Sequence, residues 1–261
     1  MDMSNPAHPL CGNGHFAAVN DVELYYEELG AGSPLVLLHG FFRSTLVWQP
    51  YVDELAAHFK VIAVDLRGHG RSTNPAGRFT HSQSARDVFA LLDQLGIERF
   101  QAMGISSGGM TLLHMATQQP ARVEAMVLIG ATPYFGAETR ALQRQRTVDS
   151  LTPGDWETLR LHHHHGDEQI RALVNQFHGF ADSYDDMNFT APYLSTIRAR
   201  TLIVHGDRDE HFPVTIPVEM YRAIPQSYLW IVPNGGHVPI TGERTQPFTQ
   251  TALAFLRDEW T

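Results

Sequence analysis

The chain has 261 residues, of which 43% are hydrophobic and 18% charged, a composition typical of a globular protein with a sizeable core. Its net charge of −9, without any block rich in lysine or arginine, argues against binding to nucleic acid or to an anionic membrane surface. The single cysteine, Cys11, excludes an intramolecular disulfide. Because the sequence shows neither a signal peptide nor an apolar run of the ~20 residues that cross a bilayer, we expect a cytoplasmic location.

The first predicted element is a strand at residues 22–27, where polar and apolar residues alternate before the turn signal at 30–34. Short continuous apolar runs follow, as in strands that are buried on both faces of a parallel sheet. These runs lie at residues 35–38, 61–64, 125–129, 202–204 and 229–232. Between them, residues 85–95 carry an apolar stripe at helical spacing that stops at Gly96. The alternation of strands and helices predicts an α/β fold.

One long interval, residues 134–200, breaks this alternation. Within it, Thr152 and Asp155 flank Pro153 in the pattern of a capped helix, which predicts a helix through Leu161. We predict that the interval is an insert of two to four helices over the edge of the sheet, and that residues 1–133 and 201–261 form the core. The insert contains four consecutive histidines at 162–165. On a helix only two of them could share a face, and the run could equally be a loop. We expect a solvated helix end rather than a metal site.

The run 104–108 has the sequence G-I-S-S-G and lies between an apolar stretch at 100–103 and a helical segment at 110–118. A G-x-S-x-G run between a strand and a helix is typical of a nucleophile elbow, a sharp turn that lifts a serine hydroxyl above the sheet. The motif favours Ser106 as the nucleophile. A frame centred on Ser107 would place the β-branched Ile105 at a crowded position that needs glycine.

A serine nucleophile needs a histidine that accepts its proton and an acid that orients the histidine. Both residue types follow buried strands later in the chain. Three acids come after the run at 202–204: Asp207, Asp209 and Glu210. His237 comes after the run at 229–232 and a Gly-Gly turn. Because catalytic groups gather at the carboxyl edge of an open α/β sheet, we expect these side chains to lie near Ser106.

Four motifs in this order resemble those of the α/β-hydrolase fold family, in particular its esterases, lactonases and carbon–carbon bond hydrolases with a helical cap. They are the His39-Gly40-Phe41 run, residues 65–72, the elbow at Ser106 and the Asp209/His237 pair. The resemblance extends from about Val19 to the C-terminus. It implies a twisted, mostly parallel eight-stranded sheet flanked by helices, with a helical cap insert. It also assigns the acid to Asp209, with Asp207 and Glu210 as close rivals, and the base to His237.

The resemblance further implies an oxyanion hole made by the backbone N–H groups of Phe41 and Ser107. Ser106 would attack a carbonyl, and water would then hydrolyse the acyl-enzyme, with no metal or organic cofactor. Because the elbow carries serine, the aspartate-dependent dehalogenase and epoxide-hydrolase branches are disfavoured. Esters, thioesters and lactones are the favoured substrates.

Seven side chains are candidates for the wall of a substrate pocket, on their apolar character and their place in the cap or near the elbow. They are Phe42, Trp48, Tyr134, Phe135, Trp156, Phe177 and Val238. Packing in the core is an equally good interpretation of each, because large apolar residues mostly fill interiors. The hypothesis for the substrate is an uncharged, medium-sized, apolar carboxylic ester.

Two other classes of function stay open, because a fold does not fix a function. One is a non-hydrolytic enzyme that uses the same groups, such as a hydroxynitrile lyase, a cofactor-free oxygenase or a perhydrolase. The other is a small-ligand receptor that retains the triad.

Overall fold

The computed structural model describes residues 14–260, so Cys11 lies outside the described residues. Their strands are β1 (Gly14–Val19), β2 (Val22–Leu29), β3 (Pro34–Leu38), β4 (Lys60–Val64), β5 (Phe100–Ile105), β6 (Val123–Ile129), β7 (Arg200–Gly206) and β8 (Ser227–Val232). They form one eight-stranded sheet in the order β1-β2-β4-β3-β5-β6-β7-β8. The pairs β1/β2 and β2/β4 are antiparallel, and all other pairs are parallel. The predicted α/β architecture is therefore confirmed.

The α-helices of residues 14–260 are α1 (Val52–Ala56), α2 (His81–Gln94), α3 (Ser107–Gln118), α4 (Ala137–Gln145), α5 (Pro153–His162), α6 (Asp167–Gly179), α7 (Ala191–Leu194), α8 (Thr215–Ala223) and α9 (Thr245–Leu256). None of the helices in this range is long and apolar enough to cross a membrane. The cytoplasmic location remains a prediction from the sequence.

Two apolar layers, one on each face of the sheet, form the core. Alternate residues of each parallel strand face opposite sides. Val36 and Leu38 of β3 therefore belong to the layer that contains residues of α2, α3 and α8. Leu35 and Leu37 belong to the layer that contains residues of α1 and α9. This burial on both faces explains the continuous apolar runs in the sequence.

The sequence analysis missed one strand, β1. Its residues are mostly exposed, and the ring of Phe16 is 54% exposed, so its short apolar run at 16–19 does not reflect burial on both faces. It is held at the edge of the sheet by antiparallel pairing with β2.

The helices α4 to α7 all lie between β6 and β7 in the chain, within the segment 134–200 that we propose as the cap. The predicted capped helix is α5: the Thr152 side chain accepts the backbone N–H of Asp155, and the Asp155 carboxylate accepts that of Thr152. This reciprocal capping fixes the first turn of the helix.

The histidine run is not the solvated helix end that the sequence predicts. His163 is 3% exposed, and its Nδ1 accepts the backbone N–H of Gly70 at 3.0 Å. His162 lies beside Ser44, with Nδ1 2.9 Å from Oγ, and His165 Nε2 lies 3.0 Å from the carbonyl oxygen of Arg71. The partners of these histidines are polar groups of the loops after β3 and β4, and such tertiary partners cannot be inferred from a local pattern. The run joins the end of α5 to the core.

A second connection between cap and core is Asp186, which is 6% exposed. Its carboxylate accepts the backbone N–H groups of His81 and Ser82 at 2.8 and 3.0 Å, and so caps the N-terminus of α2. It also lies 2.6 Å from Nδ1 of His81, while Nε2 of His114 in α3 is 2.9 Å from the Asp186 carbonyl oxygen. Burial would raise the pKa of Asp186, but attraction to His81 and the hydrogen bonds from His114, His81 and Ser82 hold it well below its ordinary value.

The Asp186→Asn variant should unfold more easily than the wild type, by about 2 kcal/mol at pH 7, because it removes a buried charge from its hydrogen-bonding partners. A pKa that is lowered by folding contributes stability above the pKa of the unfolded chain and loses it as the pH falls. The difference in the free energy of unfolding between the wild type and Asp186→Asn should therefore shrink below about pH 4, the ordinary pKa of aspartate. Urea unfolding of both proteins, measured on both sides of this pH, tests the prediction.

The matched control is Asp182→Asn, which changes a cap carboxylate that pairs with Arg144 and is 75% exposed. Little change in unfolding is expected there. Equal stability of Asp186→Asn and the wild type at pH 7 would contradict the role assigned to Asp186.

Candidate active site

The turn after β5 holds Ser106 in a strained backbone conformation, with φ 50° and ψ −114°. The two flanking glycines explain why the chain can turn here. A Cβ on Gly104 would lie 2.5 Å from the backbone carbon of Gly108, and a Cβ on Gly108 would lie 2.1 Å from the carbonyl oxygen of Leu38. The glycines of the Ser106-centred frame are thus at the crowded positions, whereas Ser107 is the first residue of α3.

Three side chains from separate strand ends meet at this turn. His237 Nε2 lies 3.0 Å from Ser106 Oγ, and His237 Nδ1 lies 2.9 Å from Asp209 Oδ2. Because a carboxylate can only accept, the Nδ1 proton of His237 donates to Asp209. Nε2 of the neutral ring then carries the lone pair and faces the Ser106 hydroxyl. The arrangement has the geometry of a nucleophile, a base and an orienting acid.

Of the three candidate acids, Asp209 is the one that contacts His237. Its side chain is fully buried, and Oδ1 accepts the backbone N–H groups of His211 and Phe212 at 2.8 and 3.1 Å. Burial would raise the pKa of Asp209, but the hydrogen bond from His237 and these backbone donors keep it below its ordinary value. The rivals Asp207 and Glu210 lie on the exposed side of the turn, beside Arg208 and His211.

Phe41 and Ser107 line the same cavity as Ser106, and neither backbone N–H group has an acceptor within the described part of the chain. His39 supports the first of these groups. Its Nε2 accepts the backbone N–H of Leu66 at 2.9 Å, and its Nδ1 donates to the carbonyl oxygen of Gly40 at 2.8 Å. Burial lowers the pKa of His39 to about 4, which keeps the ring neutral. A neutral ring can accept a hydrogen bond at Nε2 and donate one from Nδ1.

A cavity of about 680 Å³ lies between the cap and the sheet edge, with Ser106 and His237 in its wall. Much of the wall is apolar. It is lined by Phe41, Phe42, Met110, Phe135, Phe177, Phe180, Phe212 and Val238, among others. Its volume and apolar character suit a small or medium-sized organic molecule.

Four of the seven predicted pocket residues line this cavity: Phe42, Phe135, Phe177 and Val238. The other three lie elsewhere, and the prediction is corrected for them. Trp48 is completely buried in the apolar layer on the α1/α9 face. Tyr134 lines a separate cavity, where its hydroxyl donates to Glu219 at 2.8 Å. Trp156 lies under the guanidinium groups of Arg160 and Arg171, each 5.3 Å from its ring.

One part of the cavity wall is charged, which the sequence analysis did not predict. Arg146 pairs with Asp155 at 2.9 Å. Arg43 lies nearby and forms no ion pair with any described residue; its Nη1 donates to the carbonyl oxygen of Phe42 at 3.1 Å. Burial and the neighbouring Arg146 lower the pKa of Arg43. No local motif marks a lone arginine in a loop, so only the fold reveals it.

No group of three or more histidine, cysteine, aspartate or glutamate side chains in residues 14–260 could hold a metal ion. The side chains that the structure brings together are a serine hydroxyl, a histidine ring and a buried carboxylate.

Comparisons with known proteins identify the fold family. A sequence model of the α/β-hydrolase fold matches residues 33–164. The chain is 28% identical over 272 residues to a 2-hydroxy-6-oxononadienedioate/2-hydroxy-6-oxononatrienedioate hydrolase of Pseudomonas putida, covering 91% of this chain and 92% of that protein. The solved structure of an enol-lactonase from Burkholderia xenovorans LB400 has a TM-score of 0.76 and 26% identity, covering 93% of this chain and 100% of that one.

A meta-cleavage product hydrolase from Pseudomonas fluorescens IP01 has a TM-score of 0.78 at 21% identity, covering 95% of this chain and 99% of that one. The family match spans just over half of the chain, and the structural similarity spans nearly all of it. The protein belongs to the α/β-hydrolase fold family.

Proposed function

We propose that this protein is a serine hydrolase that cleaves a small or medium-sized carboxylic ester, lactone or thioester through an acyl-enzyme on Ser106. The observation that carries the proposal is the hydrogen-bonded chain from Ser106 Oγ through His237 to Asp209, at the wall of an apolar cavity. The partner implied is a small-molecule substrate, and no cofactor takes part.

The reaction begins when Ser106 Oγ attacks the substrate carbonyl carbon and its proton passes to His237 Nε2. The negative charge that develops on the carbonyl oxygen is stabilised by the N–H groups of Phe41 and Ser107. When the tetrahedral intermediate collapses, the bond to the leaving group breaks and His237 returns the proton to the leaving oxygen or sulfur. Water then adds to the acyl-enzyme by the same steps, which releases the acid and restores the Ser106 hydroxyl.

The relatives support the class of reaction more than the choice of leaving group. One is named as an enol-lactonase and another as a 2-hydroxy-6-oxononadienedioate/2-hydroxy-6-oxononatrienedioate hydrolase, so the names of the relatives point to different substrates. The apolar wall around Ser106 favours an apolar acyl or alcohol group.

Arg43 changes the hypothesis of an uncharged substrate. A partly buried guanidinium without a carboxylate partner is a favourable site for an anion, because burial weakens screening by water. We therefore add that esters with a second, free carboxylate bind better than neutral esters of the same length.

Replacement of Ser106 by alanine should lower ester hydrolysis at least about 10⁴-fold, because it removes the nucleophile. The measurement is the kcat/KM of a panel of p-nitrophenyl esters of increasing acyl length and of lactones, for the wild type and Ser106→Ala. Full esterase activity of Ser106→Ala would contradict the proposal.

The same panel separates the alternative functions. Labelling of the wild type by a fluorophosphonate without turnover of any ester or lactone would favour a lyase or a receptor. Release of nitrophenol in proportion to time, abolished in Ser106→Ala, would favour the hydrolase.

Replacement of Arg43 by glutamine should lower the preference for a carboxylate-bearing ester. The measurement is the ratio of kcat/KM for mono-p-nitrophenyl glutarate to that for p-nitrophenyl pentanoate. We expect the ratio to fall about 10-fold, since the variant loses a charge-assisted hydrogen bond. Arg144→Gln, which changes an exposed cap arginine paired with Asp182, is the control and should keep the wild-type ratio. An unchanged ratio in Arg43→Gln would contradict the role of Arg43 and favour the earlier hypothesis of an uncharged substrate.

A further inference from the structure

The side chain of Ser107 has a polar partner that the proposed mechanism does not use. Ser107 is 3% exposed and lines the cavity, and its Oγ lies 3.1 Å from Nε2 of His81. The mechanism needs only the backbone N–H of this residue, which alanine or methionine would supply as well.

Behind His81 lies the carboxylate of Asp186, with Oδ2 2.6 Å from Nδ1. Because a carboxylate can only accept, Nδ1 donates to Asp186, and Nε2 is left to pair with the Ser107 hydroxyl. This serine, histidine and aspartate sequence repeats the order of groups at Ser106, on the opposite side of the elbow. The difference is that His81 is fully buried.

The surroundings of His81 leave Ser107 as the polar partner of its Nε2. The rings of Phe79 and Phe180 lie 5.2 and 5.4 Å from the His81 ring, and the only polar partner of Nε2 within residues 14–260 is Ser107 Oγ. Docking of the cap needs the Asp186 carboxylate at the N-terminus of α2, but it does not need an imidazole that reaches a serine in the cavity wall.

Ser107 lines the cavity while its Oγ is hydrogen-bonded to His81. The cavity wall nearby is apolar, including Met110, Phe135 and Phe180, so this hydroxyl is an isolated polar group. A ligand group that pairs with it gains a hydrogen bond, and a ligand that covers it with carbon leaves it unpaired, which is unfavourable.

The position of Ser107 Oγ limits where the polar group of the ligand can be. The oxyanion donor and Oγ belong to one residue and are joined through Cα and Cβ only. An oxygen held at Oγ must therefore be close to the carbonyl oxygen that the Ser107 N–H binds. That places it on the acyl carbon next to the scissile carbonyl, or on the following carbon.

We propose that Ser107 Oγ, positioned by His81 and Asp186, is a subsite for a hydroxyl group on the α or β carbon of the acyl part of the substrate. The proposal rests on the proposed acyl transfer at Ser106. Ser107 then contacts the substrate through two atoms, the N–H and the side-chain oxygen, whereas His81 and Asp186 act through Ser107.

The test compares methyl hexanoate with methyl 2-hydroxyhexanoate and methyl 3-hydroxyhexanoate, with acid release followed in a pH-stat. The wild type should prefer one of the hydroxy esters by about 10-fold in kcat/KM, the size expected for one added hydrogen bond. In Ser107→Ala and in His81→Leu the preference should fall to about 1. The preference is a ratio measured on one preparation, so it does not depend on how much of a variant is folded.

Ser150→Ala is the matched control, because Ser150 also lines the cavity, in the cap segment after α4. It should keep the wild-type preference. Equal kcat/KM for the three esters in the wild type, or an undiminished preference in Ser107→Ala, would overturn the subsite. An undiminished preference in His81→Leu alone would overturn the role of His81. Failure of the wild type to hydrolyse any p-nitrophenyl ester or lactone is a different result, which defeats the proposed function itself.

Discussion

The close approach of the elbow to the end of β3 is the contact on which the rest of the site depends. The backbone at Gly108 lies so near to the carbonyl oxygen of Leu38 that no side chain fits between them. This contact fixes the start of α3 against the sheet, and the strain at Ser106 is the consequence. The same contact brings the Ser107 N–H near the loop that carries Phe41. One steric constraint thus places both the proposed nucleophile and the two proposed amide donors.

The carboxyl edge of the parallel strands explains why residues far apart in the chain meet at this turn. Asp209 follows β7 and His237 follows β8, and parallel strands all end at the same edge. Neither side chain needs a long loop to reach Ser106. The cap is attached to this edge by polar contacts rather than by an apolar layer alone, through His163 at Gly70 and Asp186 at α2. The shape of the cavity therefore depends on buried hydrogen bonds of the cap.

The sequence predicts the sheet well because its strands are buried on both faces, and burial produces continuous apolar runs. It does not predict β1, whose residues are mostly exposed and whose partner is set by the sheet edge. For the site, it identifies the residues that belong to local motifs: the elbow, and the acid and histidine that follow strands. It misplaces Trp48, because an aromatic residue in the segment after β3 can face either side of the sheet. The packing decides, and Trp48 lies on the α1/α9 side.

Residues that act through tertiary partners leave no local pattern. Arg43 and His81 are ordinary positions of a loop and of a helix start, and their roles arise only from what the fold places beside them. The two adjacent serines make this clear. Ser106 is set apart by its motif and its strained backbone, and its Oγ meets a partly exposed histidine. Ser107 has helical geometry, and its Oγ meets a histidine that is fully buried. This buried pair of His81 and Asp186 is suited to a different task. It can hold a hydroxyl in one orientation, which is what recognition of a substrate group requires.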